Sequence, residues 1–111
     1  MRAQSKSAPK KTGRLDLLTG FIRLHVLHHA AQGPLVGFWM MEELRRHGYR
    51  LSAGTLYPLL HGLEGRGWLR SAPKREGRRS WREYRATPAG VRALAAAKDK
   101  LQELFHELME E

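Results

Sequence analysis

Residues 51–67 read LSAGTLYPLLHGLEGRG, and this stretch decides the fold of the chain. Ser52 is a typical helix N-cap, because its hydroxyl can accept a hydrogen bond from a first-turn amide. The leucines that follow lie on one stripe at helical spacing, which predicts a helix packed on a core. Pro58 lies inside it and lacks the amide that would bond to the Gly54 carbonyl, at a cost of about 3 kcal/mol. We therefore expect a kink or a functional compromise there.

Two helices are predicted before this stretch. Residues 15–31, LDLLTGFIRLHVLHHAA, are too densely apolar for a one-sided surface helix and too long for a strand, which predicts a mostly buried first helix. It ends at residues 32–34, because proline disfavours helical geometry in the residue before it. Residues 36–47 carry apolar side chains at intervals of four and predict a second helix, which Gly48 stops.

A hairpin and a long helix are predicted after it. Residues 68–73 and 80–86 are short and contain aromatic side chains, and the basic, glycine-containing segment 74–79 separates them, which predicts two antiparallel strands. Thr87 and Pro88 then form a strong helix start, with the threonine as cap and the proline in the first turn. The chain favours helix from there to its end.

The chain is small and strongly basic. Its 111 residues favour one domain, and its formal net charge of +9 favours a polyanionic partner, nucleic acid before an anionic membrane. Residues 66–85 hold eight basic residues against two glutamates. Residues 1–14 add five basic residues and no acid, and we interpret them as a disordered basic N-terminal arm, with an inert solubilising tail as the alternative.

Composition disfavours several other classes of protein. The absence of cysteine removes disulfides, thiolate zinc sites and cysteine nucleophiles, and fits a reducing compartment. No stretch approaches the roughly 20 apolar residues that span a bilayer, so we expect a cytoplasmic protein with no membrane partner. The glycine-rich segment 62–67 has the wrong order for a dinucleotide-binding loop. No enzyme activity, cofactor or metal site is predicted.

The order of the predicted elements points to DNA. Two helices, a short turn, a capped helix and a basic hairpin form a winged helix-turn-helix, in which the capped helix enters the major groove and the hairpin touches the flanking backbone. The predicted fold is mainly α with a small β-hairpin. It comprises a winged helix-turn-helix, residues 15–87, and a long C-terminal helix, residues 88–111.

Four stretches of the chain form a recognisable set: GPLVGF at 33–38, LSAGTLYPLL at 51–60, GWL at 67–69 and YRATPAG at 84–90. They closely resemble the PadR-like transcriptional regulators, and the resemblance covers residues 15–108. Phe38 stands where a tyrosine is frequent in that family. The resemblance implies a dimeric, usually repressing DNA-binding protein of the family's shorter branch, which dimerises through a single C-terminal helix. In that family the terminal helix packs against the first helix of the other subunit.

The residues of the last helix support dimerisation independently. Apolar side chains recur at spacings of three and four, and such a stripe at the end of a small domain needs a partner surface. The predicted dimer contacts are Leu94, Leu101, Leu104, Phe105 and Leu108. The alternative is that this helix folds back on the chain's own first helix. A homodimer would bind a pseudo-palindromic operator, because the two-fold symmetries match.

The predicted DNA contacts fall in two groups. Small and hydroxyl-bearing residues at the start of the capped helix allow close approach to the duplex, and cationic hairpin residues would hold the neighbouring groove. The residues are Ser52, Ala53, Gly54, Thr55 and Tyr57 on the helix and Lys74, Arg75, Arg78 and Arg79 on the hairpin. No Asn or Gln lies in that helix, so sequence preference would depend partly on DNA shape.

Other interpretations stay open. Phe21, Trp39 and Phe105 are candidates for contacts with a small aromatic or apolar effector, since regulators of the resembling family often sense such compounds at the dimer interface. His25, His28 and His29 place imidazoles one helical turn apart, which fits a metal-sensing repressor, although no full ligand set is evident. A protein that coats nucleic acid without sequence choice is the third possibility.

Overall fold

The computed structural model describes residues 10–110, with side chains described from residue 18 onward. Within residues 10–110, four helices and three strands follow one another. Their bounds are α1 Lys10–Gln32, β1 Leu35–Val36, α2 Gly37–Arg46, α3 Ala53–Gly65, β2 Leu69–Glu76, β3 Arg79–Ala86 and α4 Pro88–Met109. The predicted fold class, mainly α with a small β-hairpin, is confirmed, and a short third strand joins the hairpin.

The first helix begins earlier than predicted. It starts at Lys10 rather than at residue 15, so the last part of the segment assigned to a disordered arm is helical. Once a helix is nucleated, each further residue adds a hydrogen bond at low cost, and a few polar residues can extend it. The rest of the expected arm, residues 1–9, lies outside the described residues.

The sheet has the strand order β1-β3-β2, and both pairings are antiparallel. Strand β1 was not predicted, because two residues are too few to show alternation; it pairs Leu35 with Tyr84 and Val36 with Glu83. The hairpin is longer than predicted, since its strands run to Glu76 and from Arg79 and leave a two-residue turn. Gly77 has φ +62° there, a conformation that such turns require and glycine adopts at no cost. We call residues 69–86 the wing.

A single apolar core joins every helix to the sheet. Helix α1 contributes Ile22 and Val26, and the C-terminal helix contributes Leu94, which is 9% exposed. The other fully buried side chains are Met40, Leu44, Leu56, Leu60, Leu63, Leu69 and Tyr84. Burial, with the Glu64 carboxylate nearby, raises the pKa of the Tyr84 phenol, so this side chain stays neutral in the core.

The predicted cap of α4 is confirmed and does more than end a helix. Thr87 Oγ1 accepts a hydrogen bond from Gly90 N at 3.0 Å and donates one to the Gly67 carbonyl at 2.6 Å. The Thr87 amide donates to the Trp68 carbonyl at 3.0 Å. That carbonyl lies so close to Gly90 that no side chain fits at residue 90. The start of α4 is therefore anchored to the turn between α3 and β2.

The predicted cap of α3 is only partly correct. Ser52 occupies the N-cap position, and its carbonyl accepts from Thr55 N at 3.0 Å and Leu56 N at 2.9 Å. Its hydroxyl makes no bond to a first-turn amide and instead lies 3.4 Å from Thr55 Oγ1. Helix α3 continues through Pro58 to Gly65.

Among the described residues, no helix is both long and apolar enough to cross a membrane.

Candidate nucleic-acid interface

The first turn of α3 presents its backbone and small side chains at the surface. Ser52, Ala53 and Gly54 are exposed and Thr55 is half-buried. The opposite face of the same helix carries Leu56, which is fully buried in the core. Helix α3 therefore packs on the core through one face, and its exposed face can approach a duplex closely.

Tyr57 has a structural role that the sequence did not reveal. Its ring lies on the backbone of Gly37 at the start of α2, and any Cβ at residue 37 would come within 2.6 Å of Tyr57 Cζ. Tyr57 is half-buried as a result. It stays a candidate DNA contact, but it also sets the distance between α2 and α3. Replacing Tyr57 with alanine would remove this contact and disturb the packing of α2 on α3.

The four predicted wing cations are all exposed. Lys74 and Arg75 lie on β2, Arg79 lies on β3, and Arg78 lies in the turn, so three of them are on strands and not in a loop. Residues that pair across an antiparallel hairpin share a face. Lys74 pairs with Trp81, while Arg75 pairs with Ser80 and lies on the other face. The tip of the wing is therefore cationic on both sides.

A hydrogen-bond chain orients the wing relative to α3. Glu64 Oε2, on α3, accepts from Ser71 Oγ at 2.8 Å and from Ser71 N at 3.1 Å. Arg82 Nε, on β3, donates to the same Ser71 hydroxyl at 3.2 Å. Charge-assisted bonds of this kind are stronger than neutral ones. The wing and helix α3 are thus coupled through a carboxylate that sequence reasoning did not single out.

Four of the six histidines, at positions 25, 28, 29 and 47, gather between α1 and the end of α2. His29 Nε2 lies 3.5 Å and His47 Nε2 lies 3.1 Å from Glu43 Oε2, and the rings of His25 and His47 are 4.7 Å apart. Burial, followed by the neighbouring imidazoles, lowers the pKa of His25, and burial with the nearby His28 lowers that of His29. Within residues 10–110, no group of three or more histidine, cysteine, aspartate or glutamate side chains is placed to hold a metal ion.

The predicted dimer contacts divide into two sets. Leu94 lies in the chain's own core, so its assignment to a subunit contact is corrected: it stabilises the monomer. Leu101 is half-buried. Leu104, Phe105 and Leu108 are 46%, 62% and 67% exposed, respectively, and they leave the last turns of α4 with an uncovered apolar face.

Among the cavities lined by described residues, the predicted effector contacts Phe21 and Trp39 lie in different ones. Phe21 lines an apolar groove of about 380 Å³ between α1 and α4, which we call the α1–α4 groove. Trp39 lines a separate cavity beside His29, and Phe105 lines neither. Aromatic content alone could not show which face of each helix these rings occupy. The other groove residues used below are Leu24, Leu27, Trp68, Ala97 and Leu101.

An exposed helix start beside a cationic hairpin defines a winged-helix DNA-binding protein. The family model described as "Transcriptional regulator PadR-like family" matches residues 26–96. The "Transcriptional regulator Rv3488" of Mycobacterium tuberculosis is 51% identical over 88 residues, which are 79% of this chain and 82% of that protein. The chain belongs to the PadR-like family of transcriptional regulators.

Solved structures agree with this assignment. The crystal structure of a PadR family transcriptional regulator from Eggerthella lenta is similar with a TM-score of 0.77 at 30% identity, over 88% of this chain and 87% of that one. A PadR-like transcriptional regulator from Bacillus cereus gives a TM-score of 0.72 at 22% identity, over 86% and 99% of the two chains, and supports the fold alone. The protein is a DNA-binding transcriptional regulator and not an enzyme.

Proposed function

We propose that this regulator is a repressor that binds a pseudo-palindromic operator as a homodimer. The observation that carries the proposal is the exposed first turn of α3 beside the cationic wing. Each subunit would insert the residues around Gly54 and Thr55 into a major groove. The wing arginines would then reach the flanking phosphates.

The α3 surface favours shape reading over a dense set of base contacts. Its first turn offers hydroxyls and backbone but no Asn, Gln or Arg, the side chains that recognise bases with paired hydrogen bonds. Sequence preference then depends on how easily a site adopts the geometry that the two subunits require. Phosphate contacts from Lys74, Arg75, Arg78 and Arg79 supply much of the affinity and make it sensitive to salt.

The distal turns of α4 supply the dimer contact in this proposal. Their exposed leucines and phenylalanine match, in apolar character, the α1–α4 groove of a second copy. Covering both surfaces at once removes apolar area from water in each subunit. It also sets the spacing between the two α3 helices, on which operator recognition depends.

A small aromatic or apolar effector would act at the same place. The α1–α4 groove is large enough to hold part of a flat molecule against Trp68 and Phe21, and the partner's helix would form its other wall. A ligand bound there changes the packing of α4 and so the spacing of the α3 helices. In the test, anilinonaphthalene sulfonate is titrated into the protein–DNA complex, and the wild type should release DNA at a lower probe concentration than Phe21→Ala, which removes a ring from the groove without filling it. Equal release from the two proteins would reject the groove as the effector site.

Operator binding is tested with a duplex that the full-length chain selects from a random-sequence library, compared with a scrambled duplex. A repressor should prefer the selected duplex by roughly 10³-fold or more, whereas a protein that coats nucleic acid binds both alike. The double variant Gly54→Val with Thr55→Val should lose that preference while its thermal unfolding stays close to wild type. Lys98→Ala, on the remote helix α4, is the matched control and should bind as wild type does. Equal affinities of the wild type for the two duplexes would reject the proposal.

A further inference from the structure

A cleft lies between the first turn of α2, helix α3 and strand β3. Its volume is about 520 Å³, and we call it the wing cleft. The residues that line it and carry the argument are Phe38, Tyr57, Arg79, Ser80, Trp81 and Arg82. Apart from Arg79 and Tyr57, none of them was assigned a role in DNA binding above.

The wing cleft combines uncovered aromatic rings with guanidinium groups. Phe38 is 67% exposed, although nothing polar on its ring requires solvent. Trp81 is half-buried, and the Arg79 guanidinium lies over its ring at 5.5 Å from the centroid. No acidic side chain lines this cleft. Glu83, which lies outside it, is 3.5 Å from Trp81 Nε1.

One wall of the cleft is an open strand edge. Strand β1 pairs with β3 only at Tyr84 and Glu83, so residues 79–82 have no strand neighbour on that side within the described chain. Arg82 is tethered through its Nε to Ser71, and its side chain is exposed. The cleft thus presents cationic groups from a strand whose position is fixed.

These features fit one partner better than others. A cleft with two arginines and no carboxylate attracts phosphate. Phe38 has no hydrogen-bonding group, and the other two rings of the cleft carry one each, the Tyr57 hydroxyl and the Trp81 indole N–H, so the cleft offers few groups that read a base edge. Tyr57 ties the cleft to α3, since residues 53 and 54 lie on its face of that helix, one turn earlier. A DNA strand that leaves the first turn of α3 would therefore pass directly into the cleft.

We propose that the wing cleft grips the sugar–phosphate backbone of the operator, with Phe38 and Trp81 packed against deoxyribose and Arg79 and Arg82 on the phosphates. This rests on the DNA-binding function proposed above and extends it to an apolar grip that carries no sequence information. Aromatic contact with sugar adds affinity without counterion release, whereas each arginine–phosphate contact adds to the salt dependence. The two kinds of residue can therefore be separated by experiment.

The test measures affinity as a function of salt for the full-length chain on the selected and scrambled duplexes. Phe38→Ala and Trp81→Ala should each weaken binding to both duplexes about tenfold and leave the salt slope unchanged. Arg79→Ala should weaken binding and reduce the slope by about one. Phe38→Tyr, which keeps the ring, should bind as the wild type does.

Trp39→Ala is the matched control, because Trp39 is the next residue along α2, is 41% exposed and lines a different cavity. It should bind DNA as the wild type does, and thermal unfolding of Phe38→Ala should match that of the wild type. If the wild type binds its selected duplex and Phe38→Ala binds it equally well, the wing cleft is not a DNA site while the proposed function stands. If the wild type prefers neither duplex, the proposed repressor function fails, and the wing cleft fails with it only if Phe38→Ala also binds both duplexes as tightly as the wild type does.

Discussion

The two halves of α4 have the same apolar spacing and opposite environments. The proximal half, residues 88–98, is anchored by Thr87 and Gly90 and buries Leu94 in the chain's own core. The distal half, residues 99–109, leaves Leu104 and Phe105 exposed. Periodicity identifies which face of a helix is apolar, but it does not identify what covers that face. Of the two alternatives open at the sequence level, packing on the chain's own first helix describes the proximal half. Packing on a second copy is our proposal for the distal half.

The distal half is poorly stabilised by itself. Isolated helices shorter than about 12–15 residues are marginal in water, and this half has no buried apolar side chain to hold it. A partner surface would supply that stabilisation. Dimerisation and ordering of the distal turns are therefore expected to be coupled.

The largest effect is expected from placing charges on the distal half. Leu104→Glu combined with Leu108→Glu should raise the dimer dissociation constant by about a thousandfold or more, since two apolar side chains of about 1.5–3 kcal/mol each lose their partner surface. The variant should be monomeric in sedimentation and folded by circular dichroism. It should also bind the selected duplex more weakly than the wild type in a binding titration. Gln102→Glu adds one negative charge at an exposed position outside the leucine stripe and should stay dimeric. Intact dimers of the double variant would contradict the role of the distal half.

The next largest effect is expected in the proximal half. Leu94→Ala leaves a cavity in the core and should lower the free energy of unfolding by about 2–5 kcal/mol. The measurement is urea unfolding in the monomeric Leu104→Glu, Leu108→Glu background, where only the fold can respond. Val91→Ala, 46% exposed on the same half, should cost much less. Similar losses for the two variants would remove the contrast between the core and the surface of this helix.

A smaller effect is expected at the anchor itself. Thr87→Ala removes the acceptor for Gly90 N and the donor to the Gly67 carbonyl, and it should destabilise the chain by about 1–2 kcal/mol. Thr87→Ser retains the hydroxyl and should recover most of that loss in the same unfolding assay. If serine were no better than alanine, packing of the methyl group and not the hydroxyl would anchor α4.

The smallest effect is expected from pH. A change of pH should alter the stability of the region around α1 and α2, where His25 and His29 lie, and not that of the distal half of α4. The folded-state pKa values of His25 and His29 lie below the ordinary value of 6.5, so the unfolded chain takes up protons first as the pH falls. The contribution of these two histidines to the free energy of unfolding is complete above about pH 6.5 and is lost as the pH falls through their folded-state pKa values. Urea midpoints of the monomeric background should therefore decrease on acidification, and His25→Gln should flatten that decrease. A midpoint that rises on acidification would contradict the sign.

Local signals in the sequence predicted most of the elements. Helix α3 follows from its leucine stripe and α4 from the Thr87 and Pro88 start, because capping and periodicity depend on residues within a few positions of one another. Strand β1 was missed because its two residues are a strand only through pairing with Tyr84 and Glu83. The extra length of the wing was missed for a similar reason, since charged residues at 74–76 read as loop until a tight turn at Gly77 brings the strands together.

The candidate site was predicted unevenly. The first turn of α3 and the wing cations follow from composition and element order, and the structure exposes nearly all of them. Two contacts could not be predicted from a local pattern, because each joins elements that are distant in sequence. They are the packing of the Tyr57 ring on Gly37 and the hydrogen bond from Ser71 to Glu64. Within one chain Phe21 and Trp39 line different cavities, because the rotation of each helix about its axis is set by its neighbours. A shared effector contact of these rings across a dimer interface stays a prediction.

Spacing, caps and charge were enough to establish a basic winged helix with a long terminal helix, since each depends on short-range chemistry that is written along the chain. Whether a given apolar side chain faces its own core or open solvent was settled by the packed fold. Leu94 and Leu104 lie on the same stripe, yet only Leu94 meets the core. The reason is physical: burial is a relation between distant segments, and no local pattern along α4 records which segment lies opposite each leucine.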